Sequence, residues 1–211
     1  MDISSIIGVL AVLVLIATNG FFVAAEFALV KIRATRIEHL VNEGNRTAKV
    51  VQKQIGHLDT YIAATQLGIT LASLALGWIG EPSLAHLVEP LFAWIGGEAA
   101  RDVTNGVAIA LSFAIITAGH IILGELVPKA IALQQDEKTA LFVARPLWFF
   151  ARLFRPIIFL MNGIGNAVVR LLGLRAASEH NTAVHSPEEL EMLILQSRKA
   201  GLLEQQETEF L

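Results

Sequence analysis

With 211 residues, 54% of them hydrophobic and only 17% charged, and a positive mean hydropathy, the chain is too apolar for an ordinary soluble domain and reads as an integral membrane protein. Its net charge of −3 points to neither nucleic acid nor a strongly acidic partner. The absence of cysteine removes disulfides, thiolate metal sites and cysteine nucleophiles together.

The first five residues lack the positive flank of a secretory signal, and the apolar run after them is too long for one, so a retained first span is expected. Ile6 to Val30 is long enough to cross a hydrocarbon core of roughly 30 Å at about 1.5 Å per residue. Asn19, Gly20 and Glu26 lie inside it. Either Asn19 and Gly20 let helices pack closely while Glu26 snorkels to the interface, or Asn19 lines a polar pathway. Lys31, Arg33, Arg36, Arg46, Lys49 and Lys53 follow in an amphipathic helical connection interrupted near Asn42 and Gly44. Positive charge directly after a span marks the cytoplasmic side and sets the N-terminus outside.

Leu58 to Ile79 forms a second expected span that is small and polar for a lipid-facing helix. Gln66, Thr70 and Ser73 fall on one helical face, which must meet protein or water. A packing face and an ion pathway both satisfy that pattern. Gly80-Glu81-Pro82 is expected to break the helix, with a short apolar helix from Leu84 to Ile95 and a polar outer loop beyond.

Val103 to Val127 is the third expected span, ending in Leu123-Gly124-Glu125-Leu126-Val127-Pro128-Lys129. A carboxylate at membrane depth is costly, which makes Glu125 the first candidate for chemistry. Pro128 removes a backbone donor and leaves carbonyls of the preceding turn free, and free carbonyls beside a carboxylate suit hard cations. The alternative is an interfacial carboxylate paired with Lys129 at i+4.

From Leu141 to Leu174 the chain is apolar again but punctuated by Arg145, Pro146, Arg152, Arg155 and Pro156, which favours helices along the inner surface over a clean fourth span. A fourth span from Pro156 to Leu174 stays open. Arg175 to His185 reads as a linker, and Ser186-Pro187-Glu188-Glu189 as a capped helix start. The expected organisation is a transmembrane core over 1–136, juxtamembrane interfacial helices over 137–175, and a linker with a cytoplasmic helix over 176–211. The fold class is an all-α membrane protein. No phosphate loop or Ser-His-Asp order is evident, and the six scattered histidines give a transition-metal site little support, so no enzyme is expected.

Three stretches together carry a family resemblance: Asn19 to Leu29, Thr65 to Ser73 with Gly77 to Pro82, and Leu123 to Lys129. They resemble the transmembrane domain of the CorC/CNNM magnesium transporter family, in the right order on the three expected spans. The resemblance implies a homodimer in the bacterial inner membrane, three spans per subunit and a helical belt at the cytoplasmic surface. It also implies Mg²⁺ export coupled to Na⁺ entry. A pair of CBS modules that bind ATP follows in the family, so this sequence is expected to be the membrane part of a longer protein, with ATP reaching it only through that region.

Carried over by position, the ligands are Asn19, the carbonyl of Gly124 and the carboxylate of Glu125, and Thr70 and Ser73 are left as local oxygen donors on the second span. Relatives often have asparagine at the positions of Ile69, Ser73 and Glu26, and serine at that of Val23, so this chain departs from the family's ligand pattern there. The donor chemistry suits the ion, since Mg²⁺ takes octahedral oxygen ligands at about 2.1 Å. Two further readings remain beside transport: a magnesium-sensing regulatory membrane protein without net flux, and a membrane-bound helper of another enzyme or toxin.

Overall fold

The computed structural model describes residues 3–96, 110–111 and 113–173, all of them in helices or the short turns that join them. The expected start of the third span at Val103, the polar loop before it, the linker from Arg175 and the helix opened by Ser186 lie outside the described residues. The chain divides into two compact units, Met1–Ala167 and Val168–Leu211, and the packing of the helices belongs to the first.

Helix α1 (Ile3–Lys31) is a run of apolar residues without proline, and Lys31 in its last turn complements the partial negative charge of a helix C-terminus. Two short amphipathic helices follow, α2 (Ala34–Asn42) and α3 (Arg46–Ile55), which bury Ile37, Leu40, Ala48 and Val51. The chain reverses between them at Gly44, whose φ of 88° is a left-handed conformation suited to glycine. Asn45 then caps α3, its Oδ1 accepting from the backbone N–H of Thr47 at 2.9 Å and of Ala48 at 3.1 Å.

Helix α4 (Leu58–Gly96) runs for 39 residues without a break, so the interruption expected at Gly80-Glu81-Pro82 does not occur. Proline forfeits one helical hydrogen bond, but in an apolar medium the backbone groups freed by a full break have no water to turn to. Helix α5 (Phe113–Gln134) also continues past its expected end at Val127. A π-helical segment occupies His120–Leu126, and α-helical geometry resumes at Val127 with Pro128 in its first turn, where proline is well tolerated.

Helix α6 (Asp136–Leu153) opens with two acidic residues and carries Pro146 inside it, and α7 (Arg155–Leu171) departs from it at an angle of 79° across Phe154. The pair is therefore not a straight fourth span. Three helical segments among the described residues are long and apolar enough to cross a membrane: Ile6–Lys31, Leu58–Gly80 and Phe113–Gln134.

The larger core gathers where α2, α3 and α6 close over the basic end of α1, around Phe22, Leu29, Ile37, Val51, Val143 and Leu147. Phe22, Phe150 and Phe154 stack in series with centroids 4.6 and 4.5 Å apart. A smaller cluster of Val12, Ile16, Leu76 and Ile116 ties the three spans together nearer the other end. Asn19 lies in sequence between the α1 residues of the two clusters.

Candidate ion site

Asn19 is fully buried on α1. A buried primary amide must find partners, and this one uses both ends. Its Nδ2 donates to the carbonyl of Gly124 on α5 at 3.0 Å, and its Oδ1 accepts from Ser73 Oγ on α4 at 3.3 Å. One side chain thus joins all three spans.

The receiving carbonyl is exposed to Asn19 by two features of α5. Pro128 has no N–H to offer the carbonyl four residues back, which is that of Gly124. Gly124 and Gly20 also let the backbones approach. A Cβ on Gly124 would lie 2.8 Å from His120 Cδ2 and 3.3 Å from Asn19 Nδ2; one on Gly20 would lie 2.8 Å from Pro128 Cγ and 3.3 Å from the carbonyl oxygen of Leu123.

The π segment changes which side chains meet. Residues five apart in an α-helix point about 140° away from each other. With i to i+5 bonding, seen where the N–H of Val127 reaches the carbonyl of Ile122, residues five apart come onto one face. His120 and Glu125 are such a pair, with His120 Nε2 3.7 Å from Glu125 Oε1. The same Nε2 lies 3.5 Å from Ser73 Oγ, so His120 bridges the carboxylate to the Asn19 network.

Glu125 does not pair with Lys129. The ammonium of Lys129 sits 4.5 Å from the centre of the Phe27 ring instead, and the Glu125 side chain is half exposed at 49%. A carboxylate beside a histidine, an amide, a hydroxyl and a backbone carbonyl makes an oxygen-rich mouth with one formal negative charge. Among the described residues no three His, Cys, Asp or Glu side chains converge on a common point.

Of the five residues singled out in the sequence, four are brought together: Asn19, Ser73, Gly124 and, through His120, Glu125. Thr70 is the outlier, its hydroxyl donating to the carbonyl of Gln66 in its own helix at 2.8 Å. The polar face of α4 does turn toward α1, as Gln66 Nε2 lies 3.0 Å from each carboxylate oxygen of Glu26. At the other positions of departure, Val23 is buried and Ile69 packs against the core, so neither offers an oxygen. Nothing in the sequence marks His120 as a partner of Glu125, because ordinary helical spacing separates them and only the wider turn before Pro128 joins them.

Sequence comparison shows which known proteins this chain resembles. Residues 10–207 match the family model described as the Cyclin M transmembrane N-terminal domain, CNNM. The chain belongs to the CNNM family. It is 42% identical over 198 residues to the UPF0053 protein YhdT of Bacillus subtilis, covering 94% of this chain and 42% of that protein. The UPF0053 protein YrkA of the same organism is 41% identical, over 93% of this chain and 45% of its own length. An uncharacterized protein of Mycobacterium tuberculosis, Rv1841c, is 40% identical over 98% of this chain and 57% of its own. The chain therefore spans about half the length of these CNNM-family relatives. Family and helices together make it a multi-pass membrane protein.

Proposed function

We propose that this chain is the ion-carrying membrane domain of a secondary transporter that moves Mg²⁺ out of the cell, coupled to Na⁺ entry. It works as a homodimer in the bacterial inner membrane, with its N-terminus outside and its C-terminus in the cytoplasm. The observation that carries the reading is the junction of Asn19, Ser73 and Gly124 beside Glu125, where donors from three spans meet at membrane depth. Mg²⁺ parts with its water reluctantly and needs a carboxylate with several neutral oxygens, and this junction holds that mixture.

Glu125 neutralises part of the charge of the arriving ion, and Asn19 Oδ1, Ser73 Oγ and the Gly124 carbonyl replace part of its water. Asn19 already donates to that carbonyl, which keeps a second lone pair free to accept. Irregular backbone at membrane depth is tolerated where it lines a cavity, and His120–Leu126 departs from α geometry beside the ligands. Conversion of that turn to α geometry would swing Glu125 away from His120 and provides a two-state element for release. Thr70 stands one turn from Ser73 on the same helix and would serve a neighbouring position on the ion's path.

The test is Mg²⁺ binding to the detergent-purified chain by isothermal titration, with Glu125→Ala alongside and Na⁺ and Ca²⁺ as competitors. Saturable binding that the substitution abolishes supports the site, and Mg²⁺ flux into sealed vesicles then supports transport. Binding at wild-type strength in Glu125→Ala would move the site elsewhere. Site binding without flux would favour a magnesium-sensing membrane protein that signals to cytosolic modules.

A further inference from the structure

At the basic end of the second span lies a cavity of about 600 Å³ that the ion site does not use. Lys53 at the end of α3 lines it, with His57 and Tyr61 at the start of α4. Arg152 and Arg155 flank the bend between α6 and α7 and complete its polar side. Among the described residues no carboxylate lines this cavity. Among the described residues, none of Lys53, Arg152 and Arg155 forms an ion pair; Arg152 instead lies over the Trp148 ring, 5.3 Å from its centre. Three like charges gathered around one cavity repel one another and attract an anion.

The other wall is apolar. Ile158 and Phe159 continue the cavity along α7, and Phe159 is 80% exposed. Trp148 and Tyr61 also line the cavity, and such amphipathic rings are enriched at a membrane-water boundary. The span Leu58–Gly80 begins at this level, which would set the cationic residues at the headgroup layer and Phe159 against the acyl chains. A small soluble anion would gain nothing from the exposed phenylalanine.

We propose that this cavity binds the phosphate headgroup of an anionic membrane phospholipid, with Lys53, Arg152 and Arg155 around the phosphodiester and an acyl chain against Phe159. Arginine suits the role because its fork of donors matches two phosphate oxygens at once. The lipid would hold the α6–α7 bend against the foot of α4, which is the helix that presents Ser73 to the ion site. Neither the cavity nor this role depends on which ion the protein moves.

Trp148 is the reporter. With Trp78→Phe and Trp94→Phe in place, the full chain is reconstituted in phosphatidylcholine vesicles containing a minor fraction of phosphatidylglycerol brominated in its acyl chains. Bromine quenches tryptophan on contact. The expected result is quenching of Trp148 well above that given by the same fraction of brominated phosphatidylcholine. In Arg152→Gln/Arg155→Gln the selectivity should fall about fivefold for each charge removed. Arg152→Lys/Arg155→Lys should keep most of it, which separates lost charge from lost fold. Equal quenching by the two lipids in the unsubstituted pocket overturns the proposal. So does undiminished selectivity in the glutamine variant, or displacement of the brominated phosphatidylglycerol by inorganic phosphate at comparable concentration, which would assign the pocket to a soluble anion.

Discussion

Asn19 donates its side-chain N–H to the carbonyl of Gly124 in the position, four residues before Pro128, where a helix would ordinarily supply a backbone donor. A side chain of α1 thus completes the hydrogen bonding of α5, and the bond is both a structural tie and part of the proposed ion site. Asn19→Ala removes that donor and strands a buried carbonyl at a cost of about 1–3 kcal/mol. The variant should therefore lose thermal stability and weaken Mg²⁺ binding, but less than loss of the carboxylate does. Thermal unfolding in detergent and titration of the same preparation check the two effects together. A variant with unchanged melting would mean that water replaces the amide.

Glu125 and His120 should be separable by substitution. Glu125→Gln keeps the shape and removes the charge, so binding should be abolished while elution on gel filtration stays that of the unsubstituted chain, because the half-exposed side chain supports no core packing. His120→Ala should lower affinity by a smaller factor, since the imidazole positions Glu125 and Ser73 and supplies no oxygen. Equal losses in the two variants would make His120 a direct participant.

Two glycines at the crossing of α1 and α5 differ in what surrounds them. A methyl group on Gly124 meets two side chains first, the edge of the His120 ring and the Asn19 amide, whereas one on Gly20 meets the Pro128 ring and the carbonyl oxygen of Leu123. Gly20→Ala should therefore cost about 1–3 kcal/mol of stability, as overpacking does. Gly124→Ala should melt closer to the unsubstituted chain and lose ion affinity through the displaced His120. Melting curves and titrations of the pair distinguish these outcomes, and the reverse order would place the tighter contact at Gly124.

The features legible in the sequence were those that stand out against an apolar background. Asn19 and Glu125 are conspicuous within membrane-length runs, and the interruption near Asn42 and Gly44 marks the turn between α2 and α3. Pro82 does not break α4, because helix-breaking rules assume water is available to the freed backbone. His120 was missed because its partnership with Glu125 exists only in a π turn, which spacing alone does not reveal. Gln54 left no signal, since a polar residue on an amphipathic helix is expected to face water.

Gln54 is in fact fully buried, and its Nε2 donates to the carbonyl of Ala144 at 2.8 Å, tying α3 to α6. Its Oε1 has no hydrogen-bond partner. The residue therefore combines one favourable bond with one unpaid desolvation, and its substitutions should diverge. Gln54→Met removes both and fills a similar volume, so melting should change little, although the Ala144 carbonyl loses its donor. Gln54→Glu replaces that donor with oxygen facing oxygen and buries a charge that must take up a proton, so a loss of about 3 kcal/mol or more is expected at neutral pH. The loss should shrink as the pH falls, because a carboxyl raised above its usual range by burial is protonated first in the folded state and then donates to Ala144. Melting of the two variants between neutral and mildly acid pH measures this. A glutamate variant as stable as the parent at neutral pH would mean that water reaches the unpaired oxygen and that α3 and α6 are less tightly closed than their packing indicates.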